Sequence, residues 1–340
     1  MNQADPLLVE TVERLLADVC TPEVVEHAEV DGWSAPVWSA LTESGFPLVG
    51  VPEEAGGSGG SLYDMAAILR SIGRYAAPVP IAETGMLAGW LLADSGLAIP
   101  EGPTTVVDDM AALTINGGRI QGDTVVAWAR HAERIVALVN GSVISLRHDQ
   151  VTVSPGANIA GEARDQVHID ISLAEVEHGS TSVNPTDLTR RGALSRVVMA
   201  AGALGAMAQL TVDYTNDRRQ FGKPVSTFQA VQHHLVLVAQ SAVRAQMAAD
   251  IAVRAFAGGN VGIEIAAARV VTDDAIAIAT RAAHQAHGAM GVTREYPLHQ
   301  LSRRLWSWQH EWGTTTSWRR QLGRAAHTAG ADRLYSLISG

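Results

Sequence analysis

The run Asp217-Arg218-Arg219-Gln220-Phe221-Gly222-Lys223-Pro224, with Phe228-Gln229-Ala230-Val231-Gln232 after it, gathers groups suited to a charged aromatic ligand. Arginine meets phosphate through two parallel donors, and Phe221 and Phe228 offer flat faces to a ring system. The same run also reads as a helix C-terminus, with the arginines neutralising the last carbonyls and Gly222 as the stop. On residue chemistry alone both readings stand. His284 and His287 are three apart, a spacing that can hold a metal, but no carboxylate stands at a matching helical position. No metal centre is expected. Asn140-Gly141-Ser142 fits a glycosylation sequon that an intracellular chain would not use, and no Gly-x-Ser-x-Gly elbow follows a strand, so a serine triad finds no support.

Three zones of sequence must position these residues. In 1–100 the apolar residues recur at helical spacing: Leu7, Leu8, Val12, Leu15, Leu16 and Val19; then Trp38, Leu41 and Phe46; then Met65, Ile68, Leu69 and Ile72. Residues 52–61, PEEAGGSGGS, form a loop between them. In 101–184 short β-branched runs (135–139 and 143–146) are separated by Asn116-Gly117-Gly118, Asn140-Gly141 and Pro155-Gly156, which predicts a small antiparallel β domain. Trp128 has a face that can stack on a ring, but an isolated tryptophan in such a domain reads first as core. In 185–340 alanine-rich helical periods predict long helices over 195–216, 229–255 and 261–286, packed as a four-helix bundle. Gly202 and Gly205, with Ala201 and Ala206, suggest close helix–helix approach. The expected class is α+β, mainly α.

Composition narrows the function. The 340 residues are 47% hydrophobic and 18% charged with a net charge of −10, which suits a large apolar core and offers no basic surface to nucleic acid. The sole cysteine, Cys20, leaves no intrachain disulfide and fits a reducing cytoplasm. The longest apolar run, 197–208, is shorter than the roughly 20 residues of a membrane helix and reads as core. No basic stretch leads into an apolar one at the N-terminus, so neither a secretory signal nor membrane association is expected. Lys223 is the only lysine against 24 arginines, so arginine abundance by itself marks no site.

Three segments in order carry a family resemblance. They are 38–46 (WSALTESGF) with 51–60 (VPEEAGGSGG), then 218–224 with its FQAVQH continuation, then Gln285-Ala286-His287-Gly288-Ala289-Met290-Gly291 with Glu295-Tyr296-Pro297. In these the chain resembles an acyl-CoA dehydrogenase over nearly its whole length. The resemblance implies flavin adenine dinucleotide (FAD) at a subunit interface and acyl-CoA entering between the β domain and the bundle. It implies Arg218 on the FAD pyrophosphate, with Gln220 in the same turn, Phe221 packed on the cofactor and Phe228 near the adenine. Gln285, Gly288 and Ala289 would reach the FAD of a neighbouring subunit, Ala289 standing where the family has glycine.

The family chemistry needs a carboxylate to take the α-proton of the thioester while the flavin takes hydride from the β-carbon. Matched without a gap, the family's two base positions fall on Trp312 and Ser195, and Glu311 sits one residue early. Such an offset turns a side chain by about 100° on a helix, so Glu311 serves only if the turn is rewound. The flavin-lining segments of the β domain are also missing.

The resemblance therefore implies one subunit of a heteromer, α2β2, active only with a second acyl-CoA dehydrogenase chain that carries the base. Substrates with bulky tails, such as steroid side chains, and an electron-transfer flavoprotein as acceptor come with that resemblance. Two alternatives are a self-sufficient enzyme using Glu311 and a structural subunit without flavin.

Overall fold

The computed structural model describes residues 3–259, 262–330 and 332. Five helices come first: α1 (Pro6–Val19), α2 (Pro22–Asp31), α3 (Ala35–Glu43), α4 (Leu62–Arg74) and the short α5 (Trp90–Asp94). Side-chain caps start four of them, from Asp5, Thr21, Ser34 and Ser61. At α4 Asp64 completes a capping box with Ser61 and also accepts from the Asp5 backbone at 2.8 Å, tying the starts of α1 and α4 together. The expected stripe of α4 is buried throughout, whereas in α1 Leu7 is 72% exposed and only Val12 and Leu16 are fully covered. A π-helix, Ala82–Gly89, leads into α5, and its glycines let it press against the chain: a Cβ on Gly85 would lie 2.1 Å from the Pro47 carbonyl oxygen.

Eight strands follow in two four-stranded sheets. One has the order β1 (Thr104–Val106), β4 (Arg134–Val139), β5 (Ser142–Arg147), β8 (Glu177–Ser180); the other has β2 (Leu113–Asn116), β3 (Arg119–Ala127), β7 (Arg164–Ser172), β6 (Thr152–Ser154). The Asn140-Gly141 turn closes β4 onto β5 with both residues at positive φ, as its dipeptide predicts. The domain is not wholly antiparallel, because β1 enters from the helices and pairs parallel to β4. Strand β4 is apolar on both faces: Val136 and Leu138 meet the helical core, while Ile135, Ala137 and Val139 meet the second sheet.

The C-terminal helices are α6 (Pro185–Asp217), α7 (Gln229–Ala257), α8 (Ile263–His287), α9 (Leu298–Trp308) and α10 (Thr315–Ala329). Helix α6 begins ten residues before the expected 195, because Asn184 caps it and Pro185 occupies its first turn. Residue 261, the expected start of α8, lies outside the described residues, as do 333–340. The bundle has three long helices, and shorter α9 and α10 take the place of a single fourth. Gly202 does serve close approach, since a Cβ there would lie 2.0 Å from the Arg70 carbonyl oxygen of α4, but Gly205 faces nothing within 4 Å. One apolar core joins the helices before and after the β sandwich. Helices α6 and α7 are each long and apolar enough to cross a membrane by length and composition, but 72% of the α6 window is buried inside the protein.

Candidate functional site

The sequence-expected residues fall at two places. The first is the far end of the bundle. Arg218 caps the C-terminus of α6, is exposed, and makes no ion pair or side-chain hydrogen bond among the described residues. Beyond it Arg219–Gln220 and Lys223–Pro224 pair as a two-residue hairpin, β9 and β10, with Phe221 at the tip. Phe221 is 91% exposed at φ 51°, a backbone region that non-glycine residues seldom adopt. Its ring meets Phe228 edge-on at 6.1 Å, and Lys223 Nζ lies 4.5 Å from the Phe228 ring centre.

The C-terminus of α8 abuts this hairpin's helix. Tyr214 stacks on His287 at 4.4 Å and donates to the His287 carbonyl at 3.3 Å. Exposed Gln285, Gly288 and Ala289 therefore share one end of the bundle with Arg218 and Phe221. Gly288 has φ 61° and ψ −137°, a conformation essentially restricted to glycine. The two histidines support this turn. His287 Nδ1 bonds the Ala283 carbonyl oxygen at 2.8 Å, and His284 bonds Ser302 Oγ at 3.1 Å and stacks on Trp306.

The second place is the cleft between the β sandwich and the bundle. After α9 the chain turns through Trp312 and Gly313, at φ 57° and 101°. Glu311, immediately before this left-handed turn, lines the cleft. Arg196 Nε of α6 donates to Glu311 Oε2 at 2.6 Å, and Arg164 of β7 lies 3.5 Å from Oε1. Arg196 also pairs with Glu83 of the π-helix, and Arg164 pairs with Asp108 at 2.6 Å. Glu83, Arg196 and Glu311 are 3%, 4% and 6% exposed, so the network is desolvated. Burial raises the Glu311 pKa, but the Arg196 and Arg164 charges outweigh it and hold the carboxyl below its usual range. Arg196 is likewise held charged: burial opposes its charge, and Glu83 and Glu311 overcome it.

At the two family base positions, Trp312 is buried over Gly192 of α6, where a Cβ would lie 2.0 Å from its ring, and Ser195 Oγ donates to the Gly192 carbonyl at 2.6 Å. Trp128, at φ 61° and 6% exposed, lines the same interior with Met199 and Trp308. Sequence reasoning passed over Glu83, Arg164 and Arg196. For Arg196 a signal existed, since a charge inside the apolar run 194–199 needs buried counter-charges. From Arg196 to Arg218 is about 33 Å along α6, so the cleft and the hairpin are separate places on one chain.

A helical domain, a β sandwich and a second helical bundle, in this order, define the class of protein. Residues 2–98 match the acyl-CoA dehydrogenase N-terminal domain and residues 187–327 the acyl-CoA dehydrogenase C-terminal domain. The chain is 30% identical to acyl-CoA dehydrogenase FadE28 of Mycobacterium tuberculosis, over 77% of this chain and 84% of that protein. It is 29% identical to acyl-CoA dehydrogenase IpdE2 of Mycolicibacterium smegmatis, over 88% of this chain and 91% of that one. The chain belongs to the acyl-CoA dehydrogenase family, oxidoreductases acting on acyl-CoA. Among solved structures, a chain of the ChsE4–ChsE5 complex from Mycobacterium tuberculosis shares the fold at TM-score 0.84 and 23% identity, covering 94% of this chain and 96% of that one. The Tcur3481–Tcur3483 steroid ACAD variant shares it at TM-score 0.83 and 21% identity, covering 95% and 98%. Neighbours in this family bind FAD, as in the structure of PigA with FAD and proline.

Proposed function

We propose that this chain is one subunit of a heteromeric, FAD-dependent acyl-CoA dehydrogenase that desaturates a CoA thioester between its α- and β-carbons. The observation that carries the reading is the Arg218–Phe221 hairpin: an arginine with no ion pair among the described residues, close to a phenylalanine 91% exposed, about 33 Å along α6 from the chain's own cleft. Free guanidinium and bare aromatic face suit a pyrophosphate joined to aromatic rings. At that distance they suit a cofactor seated largely on another chain. Gly288 and Ala289 leave open space where a second backbone segment would approach the same group.

In this reading Arg218 holds the pyrophosphate of FAD, and Phe221 and Phe228 cover its rings, with Gln220 beside them. Gln285, Gly288 and Ala289 supply backbone and amide contacts from the neighbouring turn. When bound, the flavin accepts the hydride that leaves the β-carbon. The base is assigned to the partner, because a serine hydroxyl at 195 and an indole at 312 cannot take the α-proton. Helix α7 supports a partner-facing role, for Val236, Val243, Met247 and Ile251 form an exposed stripe at spacings of seven, four and four. The α2β2 assembly, a bulky steroid-like acyl tail and an electron-transfer flavoprotein as acceptor belong to the same proposal. It draws support from the ChsE4–ChsE5 complex and from Tcur3481–Tcur3483, a steroid ACAD, each of which carries two chain designations.

The test is an absorbance spectrum of the purified chain, alone and co-expressed with its genomic neighbours. A flavin band near roughly 450 nm is expected only with a partner. A yellow chain that turns over alone sinks the proposal.

A further inference from the structure

We propose that the cleft of this chain is permanently closed by an ionic plug, so that Glu311 is a structural counter-ion and the chain binds no acyl-CoA of its own. This deepens the heteromeric reading and rests on it for what the partner does, but the plug itself stands on three independent observations.

The first is space. The cavity lined by Ala77, Glu83, Trp128, Arg196, Met199 and Glu311 measures about 10 Å³, where one water needs about 10–15 Å³ and a ligand site about 300 Å³ or more. A flavin ring and a thioester have no room there. The second is connection. Glu83 comes from the π-helix, Arg196 from α6, Arg164 from β7 and Glu311 from the turn after α9, so the ion pairs clamp all three parts of the chain around one point. Both Glu311 oxygens face guanidinium groups, and a carboxylate held in this way is a weak base that cannot swing toward a substrate. The third is charge at the entrance. The outer cleft of about 600 Å³ is lined by Asp108, Asp109 and Asp123, and its Arg164 is already paired with Asp108 and Glu311. Coenzyme A carries a pyrophosphate and a 3′-phosphate, which three carboxylates repel.

The plug stands where the family resemblance puts flavin and substrate. Two arginines and three carboxylates take the place of the ring system, and Trp312 locked over Gly192 takes that of the base. A chain so filled keeps the shape that its partner needs while offering no second reaction site.

The decisive experiment has two arms on the purified complex. Titration calorimetry with coenzyme A is expected to saturate at one molecule per two chains; saturation at one per chain overturns the plug while leaving the heteromer intact. In the second arm, Glu311→Gln is expected to lower the melting midpoint by about 4–7 °C, since it removes the carboxylate that buried Arg196 shares with Arg164 and leaves Glu83 as the sole counter-charge of Arg196, and to leave kcat at lower temperature within twofold. An unchanged melting midpoint with kcat down 100-fold overturns the plug.

Should Glu311→Gln fail to fold, Glu83→Leu with Arg196→Met and Glu311→Leu replaces the three most buried members of the cluster by apolar groups and leaves Arg164 paired with Asp108. It is expected to regain the melting midpoint with coenzyme A stoichiometry unchanged. A new coenzyme A site, or an unfolded triple variant, counts against the plug. The proposed function fails separately: a colourless chain that finds no partner, yet shows no coenzyme A binding and the lowered Glu311→Gln midpoint, retains the plug and loses the heteromer.

Discussion

A single absent methyl group decides the conformation of the turn that carries Glu311. Gly192 leaves the hole into which the Trp312 ring fits, and Trp312 in turn holds positive φ beside Gly313. With any side chain at 192 the indole must leave, and the strain in the turn loses its compensation. Gly192→Ala is therefore expected to destabilise the fold by about 2–4 kcal/mol, read as a lowered melting midpoint. Cooperative unfolding at the wild-type midpoint would show that Trp312 can be seated elsewhere at no cost. Nothing comparable holds Phe221, whose strained φ persists at the tip of an exposed hairpin. Strain kept at an exposed residue fits a contact made outside this chain.

At the scale of the element, α6 is the axis of the molecule. It passes under α4, lines the cleft with Arg196 and Met199, and ends in the Arg218 cap. Its glycines differ in kind. Gly202 abuts the α4 backbone, and a Cβ there would sit 2.0 Å from the Arg70 carbonyl oxygen, whereas Gly205 meets nothing within 4 Å. Thermal melts should separate them by sign. Gly202→Ala is expected to cost about 2–4 kcal/mol by forcing the helices apart. Gly205→Ala is expected to gain about 0.5–1 kcal/mol from helix propensity. Equal effects at both positions would deny that α4 and α6 touch at Gly202.

The whole molecule is held by an apolar core with a charged centre, and this predicts how it responds to acid. His131, His284 and His287 have pKa values lowered from 6.5, burial being the first cause in each. Their neutral forms stabilise the fold above about pH 6.5, and that contribution is lost as pH falls below it. Glu311 has its pKa lowered from 4.5, so its contribution is full above that value and is lost as pH falls through it. Glu162, whose pKa burial raises against the pull of Arg304, works in the opposite sense. Melting midpoints should therefore fall in two limbs, below about 6.5 and below about 4.5, and Glu311→Gln should flatten the second limb alone. A variant that follows the wild-type acid limb would deny that Glu311 is ionised in the fold.

Helix periods, the Asn140-Gly141 turn and the motifs at 218–224 and 285–291 were legible in the sequence because each rests on neighbours in the chain. The Asn-Pro cap that starts α6 at 185 was also local, though it was hidden by the polar turns that follow it. The parallel pairing of β1 with β4 was not legible, because it joins segments some thirty residues apart with no turn between them. The charge cluster was illegible for the same reason. Glu83, Arg164, Arg196 and Glu311 lie on four elements far apart in sequence, and only packing brings their charges together out of water. By itself the sequence determined which segments are helix, strand and turn, since those depend on local spacing and capping. Tertiary structure alone decided that Glu311 reaches the cleft and is captured there, because a buried charge has its partners chosen by whichever elements close around it.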